Sequence, residues 1–223
     1  MPDNTTGLTS YTSKYEAHFY QYMSERISTD PAHDINHVMR VVANAKSIAA
    51  KESLNHPCNI EVVIAGAWLH DCITLPKNHP DRAQASTLAA QEAKRFLSSI
   101  DYPPAWIDEV CHAVEAHSFS AGISATSLEA KIVQDADRLD GLGAIGIVRC
   151  FITGASFGAS FYNQDDPFCH TRSPQDKQFS VDHFYVKLFK LAELMQTTGA
   201  KQEARQRIEY MKGFLAQLEV EIN

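Results

Sequence analysis

The chain has 223 residues, 44% hydrophobic and 21% charged, which is long and apolar enough for a full globular core and rules out a disordered chain. A net charge of −7 excludes a general nucleic-acid binder, which needs a basic field to neutralise phosphates; a small phosphorylated ligand held by a metal and a few local cations stays open. Five cysteines, odd in number and without a CxxC pair, read as reduced thiols, and no signal peptide or membrane-length apolar run is evident, so a cytoplasmic protein without membrane or nucleic-acid partners is expected.

Residues 1–10 are polar and small and are expected to fray. Beyond them nothing reads as a linker or repeat, so residues 1–223 are expected to form a single domain. Val38, Val41, Val42, Ala45, Ile48 and Ala49 recur at helical spacing, with Asn36 or Asp34 as the candidate cap. A second helix is predicted from about Asn59 to Leu69, and it is almost wholly apolar. A loop bounded by Pro76 and Pro80 follows. Further helices are predicted over Arg82–Ser99, Pro104–His117, Leu128–Leu139 and Leu142–Thr153. The last two are marked by stripes: Val181, Phe184, Tyr185, Leu188, Ala192 and Met195 in one, and Ile208, Met211, Phe214, Leu215 and Leu218 in the other. Residues 156–180 lack periodicity, which in a compact domain marks a long loop or lid, with Phe161, Tyr162 and Phe168 as aromatics that could close on a base. No stretch sustains period-2 alternation, so the fold is expected to be all-α.

The doublet His70-Asp71 ends the segment Val62–Leu69. A helix apolar on every side belongs at the centre of a fold, where burying an imidazole and a carboxylate is costly unless something binds them. A divalent metal would do so, and His37 and Asp137 offer two more matching donors. A buried His-Asp pair also occurs as a satisfied structural hydrogen bond, so the doublet by itself leaves both readings open. Two imidazoles and two carboxylates without a thiolate suit Mn, Fe, Co, Ni or Mg rather than a closed structural zinc site.

The order His … His-Asp … Asp resembles the HD superfamily of metal-dependent phosphohydrolases. The resemblance extends over His33–His37, Leu69–Asp71, Leu75–Pro80, Glu115–Ser118, Glu129–Asp140 and Gly143–Gly146, and is similar to the bacterial branch that includes nucleoside triphosphate pyrophosphohydrolases. It implies an all-α HD-domain helical bundle with His37, His70, Asp71 and Asp137 holding one divalent metal ion (Mn, Co, Ni, Fe or Mg). Asp135 points elsewhere, because residues i and i+2 diverge on a helix. Many members carry a Gly-Lys pair soon after the doublet; here Cys72-Ile73-Thr74 stands instead, and the lysine comes later as Lys77.

Lys77 and Arg82, on the proline-bounded loop directly after the doublet, are candidate phosphate contacts, arginine by a bidentate fork and lysine as a point charge. Lys187 is a third. His117, at the end of a predicted helix, is a candidate to position a phosphate or donate a proton, and His112, five residues away, diverges from it. Asp140, one turn from Asp137, is a candidate to orient a ligand. Gly141, Gly143 and Gly146 spell GxGxxG but follow a helix rather than a strand, so they read as close packing and not as a dinucleotide fingerprint.

The expected substrate is a small phosphorylated metabolite. The resemblance implies a nucleoside triphosphate hydrolysed to monophosphate and pyrophosphate, with Asp71 activating water. A phosphomonoesterase acting on nucleoside monophosphates is the nearest alternative. A nucleotide-binding regulator and an HD-type di-iron oxygenase are alternatives from other classes.

Overall fold

A computed structural model describes residues 11–26, 34–75, 79–118 and 121–222. Among these the secondary structure is helical throughout, apart from one isolated bridge between Ser160 and Phe179. The helices are α1 (Glu16–Ser24), α2 (Ile35–Glu52), α3 (Ile60–Leu69), α4 (Ala85–Ser99, preceded by a 3₁₀ turn over Arg82–Gln84), α5 (Pro104–Ala116), α6 (Leu128–Asp140), α7 (Gly143–Ser156), α8 (Asp182–Val186, followed by a 3₁₀ stretch over Leu188–Leu194) and α9 (Thr198–Ile222). The all-α expectation holds. No single helix among the described residues is long and apolar enough to cross a membrane.

The chain divides into two compact units, Met1–Asp137 with Thr197–Gly199, and Arg138–Gln196 with Ala200–Asn223. In the first, α3 is the central helix. Every residue from Val62 to Leu69 is buried, as an apolar run without a polar face requires. Gly66 makes this packing possible, because a Cβ there would stand 3.1 Å from both Ala113 of α5 and Val133 of α6. Asn59 caps α3 by accepting from the Glu61 N–H, and Asp34 caps α2 by accepting from the His37 N–H at 2.9 Å. Helix α1, which has no counterpart among the predicted elements, buries Phe19, Tyr22 and Met23. It is tied to the core by Glu16, which takes both the Trp68 indole N–H and the Lys46 ammonium.

In the second unit an aromatic cluster joins Phe151 of α7, Phe184 of α8 and Phe214 of α9, with ring centroids 6.0–6.4 Å apart. The predicted helix over Val181–Met195 is interrupted. Of its stripe, Val181, Phe184, Leu188 and Met195 are buried and Tyr185 and Ala192 are half-buried, yet the backbone leaves the helical region at Lys187 and continues as 3₁₀. The glycines after α6 serve packing, as expected: a Cβ on Gly146 would collide with the Gly141 carbonyl oxygen at 2.2 Å.

Residues 157–181 form a structured excursion. Asp166 accepts from the backbone N–H groups of His170, Thr171 and Arg172, Phe168 is buried, and Phe161 packs edge-on against Phe151. Arg172 reaches the fully buried Asp182 with both terminal nitrogens, at 2.5 and 2.7 Å.

Candidate metal centre

Four helix ends and one preceding cap converge on a single cluster in the first unit. His37 stands in the first turn of α2, where the Asp34 cap holds its backbone. His70 follows the last residue of α3, and His117 follows the last residue of α5. Asp137 lies in the last turn of α6.

His70 and His117 are oriented by the same device. Each directs Nδ1 at the carbonyl three residues back, His70 to Ala67 at 2.8 Å and His117 to Val114 at 2.6 Å. Those carbonyls lie in the last helical turn, where acceptors lack an intrahelical donor. A carbonyl can only accept, so Nδ1 carries the proton in both rings and Nε2 is left to face inward.

The inward-facing nitrogens and carboxylate oxygens crowd around one point. His70 Nε2 lies 3.3 Å from His37 Nε2, 3.6 Å from Asp71 Oδ2 and 4.0 Å from Asp137 Oδ1. His37 Nε2 lies 3.5 Å from Asp137 Oδ1 and 3.9 Å from Asp71 Oδ2. Donors held about 2.1 Å from one octahedral ion sit roughly 3.0–4.2 Å from each other, so these separations are those of a shell around a metal. His37, His70 and Asp137 form a group able to hold an ion, and Asp71 turns Oδ2 toward the same two imidazoles. The donor set therefore fits a divalent cation.

Burial pushes the His70 imidazole below its ordinary pKa despite the pull of Asp71, which keeps it a neutral donor. For Asp71 and Asp137 burial works toward the neutral acid, but the surrounding imidazoles, His70 foremost, more than offset it and hold both carboxyls below the usual carboxylate range. His117 moves the other way. Burial alone would lower it, yet Nε2 faces Asp71 Oδ1 at 3.5 Å and that carboxylate raises it. Asp71 thus turns one oxygen toward His37 and His70 and the other toward His117. The cluster is sealed on one side and open on the other: the side chains of His37 and His70 are 1% and 0% exposed, those of Asp71 and Asp137 19% and 30%.

The structure therefore brings together His37, His70, Asp71, Asp137 and His117. Asp135 diverges as expected: its carboxylate accepts from the N–H and hydroxyl of Thr197, both at 2.8 Å. Asp140 is buried, and its carboxylate pairs with Arg149. His112 accepts from Thr126. Arg82 donates to the Leu75 carbonyl and so fastens the loop that leads into residues 76–78. Lys77 lies outside the described residues. Lys187 is exposed in the second unit.

Two supporting residues escaped the sequence analysis. Asn44 donates from its amide to the Ala136 carbonyl at 3.2 Å, next to Asp137, and Gln134 donates to the Ala116 carbonyl at 2.6 Å, next to His117. Both carried a signal: Asn44 stands seven residues from His37 on one helical face, and Gln134 is a polar residue inside the buried run Ile132–Ala136.

This centre and the helical fold around it define an HD domain, and the HD domain family matches residues 34–142. The chain belongs to that family, whose members bind divalent metal ions and include metal-dependent hydrolases. Across its length it is similar to YpgQ of Bacillus subtilis, an uncharacterised protein, with 32% identity over 204 residues that cover 89% of each chain. A crystal structure of Bacillus subtilis YpgQ in complex with ADP superposes with a TM-score of 0.71 at 29% identity, covering 93% of this chain and 99% of that one. An HD-superfamily hydrolase from Bacillus thuringiensis superposes with a TM-score of 0.68 at 32% identity, covering 92% of this chain and 93% of that one.

Proposed function

We propose that the protein is a metal-dependent phosphohydrolase that cleaves a nucleoside triphosphate to monophosphate and pyrophosphate, with the whole chain acting as one HD domain. The observation that carries this reading is the facing pair of imidazole Nε2 atoms at 3.3 Å, ringed by the carboxylates of Asp71 and Asp137. His37, His70, Asp71 and Asp137 would hold one divalent ion, which when bound polarises a phosphoryl oxygen and acidifies a water. The exposed side of the cluster is the side of the two carboxylates, so substrate phosphate approaches there. Asp71 Oδ1, turned away from His37 and His70, is the atom placed to take a proton from an incoming water. His117, whose Nδ1 is committed to Val114, presents Nε2 beside that oxygen and would hold or return the proton.

Nucleotide as the substrate class is supported by the similarity to YpgQ, which has been crystallised with ADP. The phosphate grip falls to Lys77, with Arg82 bracing its loop through Leu75 and keeping its other guanidinium nitrogens for the ligand. Lys187 is a further candidate. A screen of nucleoside mono-, di- and triphosphates with Mn, Co, Ni and Mg tests the proposal, with pyrophosphate and phosphate read out separately. Pyrophosphate from a triphosphate is the expected product. Phosphate release from monophosphates alone would replace the reaction, and no turnover with any metal would remove the enzymatic reading.

A further inference from the structure

Four consecutive residues of α6 each engage a different neighbour within the first unit. Gln134 donates from its amide to the Ala116 carbonyl at 2.6 Å, and the Asp135 carboxylate accepts from Thr197. The Ala136 carbonyl accepts from the Asn44 amide at 3.2 Å, and Asp137 turns its carboxylate toward His37 and His70. Two of these contacts end on the peptide unit that leads into a residue of the centre: Ala136 precedes Asp137, and Ala116 precedes His117. A peptide unit is planar. Holding its oxygen therefore also holds the nitrogen and Cα that follow, and with them the direction in which the next side chain leaves the backbone.

Satisfying a stray acceptor accounts for only one of the two amides. Ala116 is the last residue of α5, where a carbonyl has no donor from its own helix, and the buried Gln134 supplies one. Ala136 lies four residues before the end of α6, so its carbonyl has a helical donor within reach at Asp140. Asn44 is only half-buried, and burial does not force its bond; yet it crosses from α2 to that carbonyl, two turns along the same face as His37. Both side chains are neutral donors. An ammonium in either place would bring a positive charge beside the ion that Asp71 and Asp137 are to hold.

We propose that Asn44 and Gln134 are positioning residues that set two halves of the centre independently. Asn44 fixes α2 against α6, and so fixes the span from His37 Nε2 to Asp137 Oδ1, 3.5 Å, on which capture of the ion depends. Gln134 fixes the end of α5 against α6, and so places His117 Nε2 3.5 Å from Asp71 Oδ1, the oxygen turned away from His37 and His70. The bond from His117 Nδ1 to Val114 orients the ring only within its own helix. Gln134 orients that helix end toward the ligands.

A crossover between Asn44→Leu and Gln134→Met tests this, each variant close in shape to the native side chain and lacking its donor. Competition titration of manganese against a chelating dye reads metal affinity. The rate at which diethyl pyrocarbonate acylates His117 at saturating manganese, followed by peptide mass spectrometry, reads the placement of that ring, which is 7% exposed in the native arrangement. Asn44→Leu should weaken manganese binding by about tenfold or more, the usual consequence of releasing a ligand's support, and should leave the His117 rate within about twofold of wild type. Gln134→Met should leave manganese affinity within about twofold and raise the His117 rate at least about fivefold. Asn44→Gln, which keeps the amide at a half-buried position, should recover part of the affinity. Under the hydrolytic reading above, Gln134→Met should also lower kcat about tenfold with little change in KM. That readout alone rests on hydrolysis: a wild type without turnover would sink the hydrolytic reading, while the titration and the acylation would still decide the positioning roles. General loosening of the fold would move both readouts in both variants. That result, no change in either variant, or an Asn44→Gln variant no better than Asn44→Leu would overturn the proposal.

Discussion

The imidazole of His70 has one lone pair to offer, and the Ala67 carbonyl decides that it sits on Nε2. Val114 makes the same choice for His117. Neither orientation requires a side-chain partner, which is why the residue types at the centre were legible in the sequence and their tautomers were not. A metal needs His and Asp at named positions, but a backbone carbonyl has no letter of its own. The Arg149 partner of Asp140, nine residues on, likewise left no mark in the spacing from Asp137. If His37, His70, Asp71 and Asp137 are the ligands, Asp71→Ala and Asp137→Ala should each lose most of the bound metal by elemental analysis. Chelation should lower the melting temperature of the wild type and leave that of both variants almost unchanged, because a metal stabilises only the fold that binds it. Wild-type metal content in both variants would reject the assignment.

At the scale of elements, the centre depends on how deeply α3 is set between α5 and α6. Gly66 permits that depth, and Gly66→Val would press two methyl groups into Ala113 and Val133. Overpacking of this kind costs about 1–3 kcal/mol, to be read from the urea midpoint, and by displacing the helix that ends at His70 it should also weaken metal affinity. Unchanged stability and affinity would mean that α3 is free to shift. Helices α2 to α7 lie close to their expected bounds, α2 because a buried stripe at spacing 3.6 leaves the chain little choice and α3 because its whole run is apolar. Around Lys187 the same reasoning failed. A step of three residues stays close to one face in either α or 3₁₀ geometry, so apolar positions between Val181 and Met195 could be read and the hydrogen-bonding pattern could not. Helix α1 was missed because it is only nine residues long, although Phe19, Tyr22 and Met23 carry the right spacing.

For the molecule as a whole, the two units are held by different chemistry. Residues 156–180, whose composition marks a long loop or lid, include Arg172, bidentate on the fully buried Asp182, and Gln175, whose N–H reaches the same carboxylate at 2.6 Å. Burial alone would raise the Asp182 carboxyl, but the Arg172 guanidinium more than offsets it and holds it below the usual carboxylate range. A carboxyl more acidic in the native state contributes stability above its unfolded pKa and loses that contribution as pH falls through the native one. Urea midpoints should therefore fall on acidification below about pH 4, and Asp182→Asn should flatten part of that limb. Arg172→Met strands a buried charge and should cost about 3–5 kcal/mol at neutral pH. Equal acid limbs for the wild type and Asp182→Asn would show that other carboxyls set the response.

His37 and Asp137 stand one hundred residues apart in the chain, and His70 and Asp71 fall between them. An ion held by all four is therefore a removable cross-link that closes two large loops at one knot. A link between distant points acts most strongly on the unfolded chain, where loop closure removes the most freedom. The loaded protein would then owe part of its resistance to unfolding to topology rather than to packing. Damage to the contacts of α2, α3 or α6 would stay hidden while the knot is tied and would surface once the ion is withdrawn.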